Sequence, residues 1–302
     1  MYEKFYDLKV KPFSIVPDPG MVFWGKTHTN AAAMIRYGLV ESGGITVLTG
    51  DSGCGKTTLI RRLLEHYGRQ VSIGVLSNLP KYDEDLIGWI LYAFGQTQFD
   101  LPTRVGRFHA LQQFIIDEYK AGRQAILIID EAQNLQSEQI DELRMLTNIN
   151  SGQQLVFQLV LVGSPKLRDL LNEPELKGFA ERVASDHHLG PLMEDEVSPY
   201  IGARLEAAGR EEALFGEDAI SLIGNFSKRV PRDINRVCDL CLVYGYVNKL
   251  DFIHAFTVEK VIREVDRQMA ENRSGGSRKT PEAMNSPLLD SSDRLRIIDR
   301  KP

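Results

Sequence analysis

Short apolar runs alternate with amphipathic stretches along the N-terminal part of the chain. Four of the runs are typical of β-strands: Ile45–Thr49, Val71–Leu76, Ala125–Ile129 and Val156–Val162. The third is apolar at every position, as in a strand that is buried on both faces. Helical spacing of apolar residues marks the stretches 30–42, 56–67, 83–95, 106–121 and 137–148. The alternation predicts an α/β fold, a parallel sheet with flanking helices.

The pattern changes after Pro191. Helical spacing continues over 194–208, 216–227, 231–248 and 257–270, and no strand pattern follows. From Arg273 onward, a polar sequence with Ser and Pro indicates a disordered tail. We therefore expect four regions: an N-terminal arm over 1–30, an α/β domain over 31–191, a smaller helical lid domain over 192–272 and the tail over 273–302.

Composition places the chain among ordinary globular proteins. Of its 302 residues, 43% are hydrophobic and 25% are charged, and the formal net charge is −5. Its longest apolar runs are far shorter than the ~20 residues of a membrane-spanning helix, and its N-terminus lacks the apolar core of a signal peptide. We expect a cytoplasmic protein without a membrane segment. The negative charge argues against a generally basic nucleic-acid-binding protein but leaves room for a local basic face.

The cysteines are sparse and odd in number. Cys54, Cys238 and Cys241 are the only three, which is typical of a reducing compartment. Cys238 and Cys241 stand three positions apart in a predicted helix, so both thiols share one face. This spacing favours buried core cysteines. A metal or redox site is the alternative, although structural zinc normally takes four ligands.

The segment that follows the first predicted strand matches the pattern G-x-x-x-x-G-K-[ST]. Its glycines allow consecutive backbone N–H groups to curl around a phosphate, and the following helix directs its positive end at the same anion. The spacing predicts that Lys56 reaches the β- and γ-phosphates and that the Thr57 hydroxyl ligates Mg²⁺. The predicted nucleotide-binding residues here are Gly50, Asp51, Ser52, Gly53, Cys54, Gly55, Lys56, Thr57 and Thr58.

Two adjacent acidic residues follow the strand Ala125–Ile129. Asp130, at the carboxyl end of that strand, suits the Mg²⁺ shell. Glu131 is then placed to orient and deprotonate a water for attack on the γ-phosphate. The alternative is a strand that ends in a solvated acidic turn. Together with the phosphate loop, the pair predicts an ATPase that uses ATP and Mg²⁺.

With these motifs the sequence resembles the AAA+ ATPases, P-loop NTPases with a parallel sheet and a helical lid. More narrowly, it resembles the general secretion pathway protein A type, which is similar to ATPase regulators of transposition. The resemblance covers about residues 1–270. Besides the phosphate loop and the segment Asp130-Glu131-Ala132-Gln133, it rests on five segments: Tyr2–Leu8, Lys11–Ser14, Pro17–Pro19, Gly163–Leu167 and Val230–Asn235.

The resemblance implies roles for two residues near the nucleotide. Ser164 falls at the sensor 1 position, where a short hydroxyl touches the attacking water or the γ-phosphate, although the group has glutamine there. The alternative for Ser164 is an N-cap, because Ser164-Pro165 is also a good helix start. Arg232 falls at the sensor 2 position, from which a lid guanidinium reaches the nucleotide. The alternative for Arg232 is a solvated basic face that includes Lys228, Arg229 and Arg236.

The resemblance also implies roles for two residues, Arg182 and Asn78, that would couple the site to a partner. Arg182 falls at the arginine-finger position, which completes the site of a neighbouring subunit and therefore implies a homo-oligomer. The alternative is a local ion pair with Glu181 or Asp186. Asn78, just past the second strand, is placed to hold Glu131 in an inactive orientation until a partner binds. An ordinary strand-end asparagine is the alternative.

The long segment between the second and third strands, residues 77–124, has room for two helices where a minimal nucleotide-binding core needs one. In related initiator and transposition ATPases, an extra element here faces a central pore. It contains Trp89, Tyr92 and Phe94 with few positive charges. These aromatic residues favour a core role over stacking on nucleic-acid bases.

Three functions share this catalytic core. The first is an oligomeric, nucleotide-dependent switch that remodels or recruits a partner protein. The second is a DNA-binding ATPase that regulates transposition or a related mobile-element process; the clusters Arg61–Arg62 and Lys228–Arg236 support it, whereas the net charge weighs against it. The third is a scaffold that binds ATP without turnover, against which the intact Glu131 argues.

Overall fold

The computed structural model describes residues 1–14, 23–39, 44–65, 68–77, 85–96, 103–151 and 154–274. Its strands are β1 (Ile45–Gly50), β2 (Val71–Leu76), β3 (Gln124–Ile129), β4 (Asn150–Ser151), β5 (Gln154–Leu155), β6 (Phe157–Gly163) and β7 (Val183–Leu189). Its α-helices are α1 (Lys26–Tyr37), α2 (Lys56–Glu65), α3 (Leu86–Ala93), α4 (Arg104–Lys120), α5 (Ser137–Leu146), α6 (Lys166–Leu171), α7 (Lys177–Ala180), α8 (Val197–Ala207), α9 (Glu217–Phe226), α10 (Pro231–Val247) and α11 (Ala255–Ser274).

The main sheet has five parallel strands in the order β2-β3-β6-β1-β7. The predicted parallel sheet with flanking helices is therefore confirmed, and its carboxyl edge collects the ends of β1, β3 and β6. The edge strand β7 was missed by the sequence prediction, which expected only four strands. Its sequence carries Asp186, His187 and His188, and only Ser185 and Leu189 are buried. Backbone pairing with β1, rather than a hydrophobic pattern, specifies this strand.

Side chains alternate between two buried layers of the sheet. One layer joins Val47, Leu127 and Leu159 to apolar residues of α3, α4 and α5. The other joins Leu48 and Ile128 to apolar residues of α1 and α2. Each fully buried Leu or Ile contributes ~1.5–3 kcal/mol to stability. Because β3 lies between β2 and β6 and contributes side chains to both buried layers, its sequence is apolar on both faces.

The segment between β2 and β3 contains the two expected helices, α3 and α4. Phe94 packs against Phe114 with ring centroids 5.1 Å apart and lies over Gly74, where a Cβ atom would be 3.1 Å from the Phe94 ring. Trp89 also packs against the core, as predicted. Tyr92 does not, because 58% of its surface is exposed.

Between Glu194 and Ser274, the described residues form only helices and turns, apart from one isolated bridge between Phe215 and Ile253. This agrees with the predicted helical C-terminal region. Cys238 and Cys241 are both fully buried on α10, as a core role requires. Burial raises the pKa of Cys241 to about 12 and raises that of Cys238 as well, so both remain neutral thiols.

The first residues of the chain pack into this helical region. Tyr2, Tyr6 and Phe13 are almost completely buried. The Tyr6 hydroxyl donates to the Leu250 carbonyl at 3.0 Å, and the Arg204 guanidinium donates to the Pro12 carbonyl at 2.6 Å. The arm is therefore an ordered part of the helical region, at least over residues 1–14.

Residues 1–262 form one compact unit, and the residues from 263 onward, described as far as residue 274, fall outside it. The expected limits of the arm, α/β domain and lid, and the disordered tail, therefore stay predictions. In the part of the chain that the structure covers, no helix combines the length and the apolar character needed to cross a membrane.

Candidate functional site

The predicted phosphate loop connects the end of β1 to the start of α2. Gly53 and Gly55 have φ values of +92° and +97°, a left-handed conformation that favours glycine. The Lys56 ammonium donates to the carbonyls of Gly50 at 2.7 Å and Asp51 at 3.0 Å, and its side chain is only 9% exposed. The loop therefore wraps around its own lysine at the N-terminus of a helix, which is the geometry of an anion site.

The two predicted Mg²⁺ ligands touch each other. The Thr57 hydroxyl, in the first turn of α2, donates to Asp130 Oδ2 at 2.6 Å. Asp130 directly follows β3, and its backbone N–H donates to the Leu76 carbonyl at the end of β2 at 2.8 Å. One hydroxyl and one carboxylate beside a phosphate loop fit Mg²⁺, which usually takes few protein ligands and completes its shell with phosphate and water.

Glu131 occupies an unusual backbone position next to this pair. Its φ is +56°, in the left-handed region, and its backbone N–H donates to Asp130 Oδ1 at 2.9 Å. The exposed carboxylate accepts a hydrogen bond from Gln133 Nε2 at 2.6 Å. Gln133 Oε1 in turn accepts from the Ser164 backbone N–H at 2.9 Å. Sequence reasoning named Gln133 only as the last residue of the segment Asp130–Gln133 that carries the family resemblance, and it gave the residue no role.

Ser164 lies at the end of β6, the strand beside β3, as its predicted role requires. Ser164 also lies at the start of α6, where its carbonyl accepts from the Leu167 N–H at 2.9 Å and Pro165 already has a helical conformation. The N-cap alternative therefore stays open. Ser164 thus stands between the sheet and α6, with its backbone engaged by Gln133.

Arg232, in the first turn of α10, contacts the phosphate loop directly. Its guanidinium donates to the Ser52 hydroxyl at 2.8 Å, and its backbone N–H donates to the Gly53 carbonyl at 3.2 Å. A Cβ atom at Gly53 would lie 2.6 Å from Arg232 Cβ, so the close approach needs glycine. The structure therefore brings Arg232 to the phosphate loop, with its side chain exposed.

Arg182 lies far from this edge. It precedes β7, which pairs with β1 so that Val183 is opposite Ile45 and Leu189 is opposite Gly50. At ~3.3 Å per residue, Arg182 is roughly 20 Å from its own phosphate loop. Its exposed guanidinium donates to the Thr147 hydroxyl at 3.1 Å and also bonds the Asn148 side chain, both just beyond α5.

The alternative of an ion pair between Arg182 and Asp186 is wrong, because Asp186 pairs with Arg168 at 2.8 Å. No ion pair between Arg182 and Glu181 occurs among the described residues either. Asn78 lies outside the described residues, so its proposed hold on Glu131 stays a prediction.

Two buried polar residues near the loop were also missed by the sequence reasoning. His28 of α1 is 6% exposed, and its Nε2 lies 3.1 Å from the Cys54 carbonyl; burial lowers the pKa of this histidine. Glu196 is also buried and caps the start of α1 by accepting from the Lys26 backbone N–H. It also accepts from the Met193 N–H at 2.8 Å. Neither residue belongs to a recognisable sequence motif; the fold brings His28 to the phosphate loop and Glu196 to the start of α1.

Known proteins resemble this chain in sequence and in fold. Residues 40–171 match the family described as "AAA domain". General secretion pathway protein A of Aeromonas hydrophila is 33% identical over 247 residues, which cover 82% of this chain and 45% of that protein. The chain thus spans less than half the length of this relative.

Two solved structures share the fold at low identity. The ORC2 protein of Aeropyrum pernix, in ADPNP–ADP complexes, has a TM-score of 0.62 and 16% identity, with 88% of this chain and 79% of that chain covered. The ORC1 protein of the same organism, in complex with DNA, has a TM-score of 0.61 and 17% identity, with 87% and 71% covered. At this identity the likeness establishes a P-loop AAA+ fold and no more.

Proposed function

We propose that the chain, whose residues 40–171 match the AAA domain family, binds Mg²⁺–ATP and hydrolyses it to ADP and phosphate. The observation that carries the proposal is the contact of Thr57 with Asp130 at 2.6 Å, because it joins the phosphate loop to the acidic pair at one sheet edge. Two motifs that are 73 residues apart in the chain form one site there.

The residues divide the chemistry between binding and proton transfer. Lys56 would exchange its two carbonyl partners for the β- and γ-phosphates, whose charge it offsets. Thr57 and Asp130 would hold Mg²⁺, which neutralises charge on the phosphates when bound. Glu131, exposed beside them, would accept the proton of the attacking water. Ser164, at the end of the neighbouring strand, would contact that water or the γ-phosphate.

Arg232 would couple nucleotide binding to the position of the helical region. Its bond to the Ser52 hydroxyl at 2.8 Å keeps a cation on the phosphate loop. A phosphate oxygen is a stronger acceptor for a guanidinium than a neutral hydroxyl. Nucleotide binding would therefore redirect Arg232 and with it the first turn of α10.

Arg182 would act in a neighbouring subunit, as part of a homo-oligomer. Its exposed position, a strand's length from its own loop, supports action in trans. An arginine finger of this kind neutralises charge that develops in the transition state.

At the level of the whole protein, we propose a nucleotide-dependent switch that remodels or recruits a partner protein. The relative named above belongs by its name to a secretion pathway, and this chain matches only 45% of it. A DNA-binding ATPase is the second candidate, favoured by the basic residues Lys228, Arg229 and Arg236 near Arg232. Measuring the assembly mass with and without ATP, and with and without DNA, separates the two.

The direct test of the proposed site is calorimetric titration of Mg²⁺–ATP into the wild type and the Lys56→Ala variant. We expect the variant to lose detectable affinity, because the removed ammonium is the cation held inside the loop. Lys120→Ala, at an exposed lysine of α4, is the matched control and should bind as the wild type does. Unchanged affinity in Lys56→Ala would show that ATP does not bind through this loop.

A further inference from the structure

The side chain of Gln133 joins the segments that follow two neighbouring strands, beyond the last paired residues Ile129 and Leu161. Its Nε2 donates to Glu131 Oε2 at 2.6 Å, and its Oε1 accepts from the Ser164 backbone N–H at 2.9 Å. Glu131 follows β3 and Ser164 follows β6, so the amide spans the ends of two neighbouring strands. One carboxamide thus serves as donor at one end and acceptor at the other.

The local backbone is arranged to allow this bridge. The left-handed φ of +56° at Glu131 turns the chain sharply after β3, a conformation that costs a non-glycine residue ~1–3 kcal/mol. A single 3₁₀ turn over Ala132–Asn134 follows, closed by the Asn134 N–H to the Glu131 carbonyl at 3.0 Å. Ala132 is completely buried and fixes the turn against the core. The turn places Gln133 beside the carboxylate that precedes it by two residues.

The last residue of β6, Gly163, also leaves room for the Gln133 side chain. A Cβ atom at Gly163 would lie 2.7 Å from Gln133 Oε1, closer than any normal contact. Any other residue at this position would therefore displace the carboxamide or push against Leu167. Glycine leaves the space in which Gln133 reaches the Ser164 N–H.

The carboxylate of Glu131 needs such a support. It is exposed, and an unsupported glutamate at the surface samples several rotamers. A general base works only when it is held within hydrogen-bond reach of the proton that it accepts. The Gln133 contact is the one side-chain hydrogen bond to this carboxylate among the described residues.

We propose that Gln133 is a positioning residue for ATP hydrolysis: it fixes the Glu131 carboxylate relative to the end of β6, where Ser164 lies. The proposal rests on the proposed ATPase activity and on Glu131 as its base. Gln133 acts through Glu131 and does not itself exchange a proton.

Two substitutions separate the halves of the bridge. Gln133→Glu keeps the length and an acceptor for the Ser164 N–H, but it replaces the donor with a second carboxylate that repels Glu131. Gln133→Ala removes both contacts. We expect both variants to lower kcat by roughly 10-fold or more while the affinity for ATP stays unchanged. Gln113 is the matched control, because its exposed amide also donates to a carboxylate, that of Asp117 at 2.9 Å. Gln113→Ala and Gln113→Glu should retain wild-type turnover.

A double-mutant comparison distinguishes positioning from a merely structural effect. In the Glu131→Gln background, Gln133→Ala should change the residual single-turnover rate by less than ~2-fold, because the group that it positions is already lost. Equal losses of turnover in both backgrounds would overturn the proposal, as would wild-type kcat in Gln133→Glu. If the wild type binds ATP but does not hydrolyse it, the proposed function fails instead. The two failures are therefore told apart by the wild-type rate alone.

Discussion

At the carboxyl edge of the sheet, some residues of the proposed site are recognised from sequence motifs, and others only from their contacts in the structure. Lys56, Thr57, Asp130 and Glu131 come from two recognisable motifs, and the structure brings them together. Gln133 stands in the same segment as the acidic pair but received no role from the sequence, yet its side chain contacts the Glu131 carboxylate. The chemistry of this edge thus depends on one amide as well as on the charged groups.

At the scale of single residues, one substitution tests the role of Glu131 as the base. Glu131→Gln keeps the shape of the side chain but cannot accept a proton. We expect ATP binding to persist and the turnover rate to fall by ~10²-fold or more, the scale of a lost general base. Glu138→Gln, at an exposed glutamate in the first turn of α5, is the control. Steady-state phosphate release measures both, and near-wild-type release from Glu131→Gln under saturating ATP would assign the base elsewhere.

Among the elements, α10 contacts both the phosphate loop and the N-terminal arm. Its first turn contacts the loop through Arg232, and its later turns contact the arm through Asp239 and Tyr246. Gly245 of α10 makes room for Tyr6, because a Cβ atom there would lie 2.2 Å from the Tyr6 hydroxyl oxygen and 2.8 Å from Ile253 Cδ1. The arm, α10 and the loop therefore form one continuous set of contacts.

This packing predicts opposite effects for two helical glycines. Gly245→Ala should destabilise the protein by about 1–3 kcal/mol, because the added methyl forces Tyr6 out of its site. Gly202→Ala, in α8, should be neutral or stabilising by up to ~1 kcal/mol, because nothing lies within 4 Å of its added Cβ and alanine favours helix. Thermal unfolding monitored by circular dichroism measures both. A Gly245→Ala variant as stable as the wild type would show that the arm is not held in this way.

For the whole molecule, the position of Arg182 predicts that a complete site needs two subunits. Arg182 is exposed at the edge of the sheet opposite its own phosphate loop, and Thr147 and Asn148 hold it there. ATP should therefore favour association more than ADP does, and hydrolysis should depend on protein concentration.

Mixing two inactive variants tests this arrangement. Arg182→Ala should lower turnover by ~10³-fold without loss of ATP binding, and Glu131→Gln should be inactive for a different reason. A mixed assembly contains some interfaces in which both residues are intact, so activity should partly return. Native mass spectrometry establishes that the variants co-assemble. Mixtures that co-assemble but stay inactive, or a fully active wild-type monomer, would contradict action in trans.

The sequence by itself determined the parts of this protein that local chemistry specifies. Mostly apolar runs predicted β1, β2, β3 and β6, and the pattern is clearest in β3, where Ala125–Ile129 is buried on both faces and apolar throughout. The phosphate loop and the acidic pair were also predictable, since their spacing follows from the ligand that they serve. The burial of Cys238 and Cys241 followed from helical periodicity.

Only the tertiary structure decided the rest. The strand β7 has a weak apolar pattern. Its pairing with β1 depends on backbone hydrogen bonds, which leave no pattern in the side chains. The contacts of Gln133 with Ser164, and of Arg232 with Ser52, join residues 31 and 180 positions apart in the chain. Such contacts depend on how strands and helices are ordered in space. Buried polar groups such as Glu196 likewise acquire their partners only when distant segments have packed together.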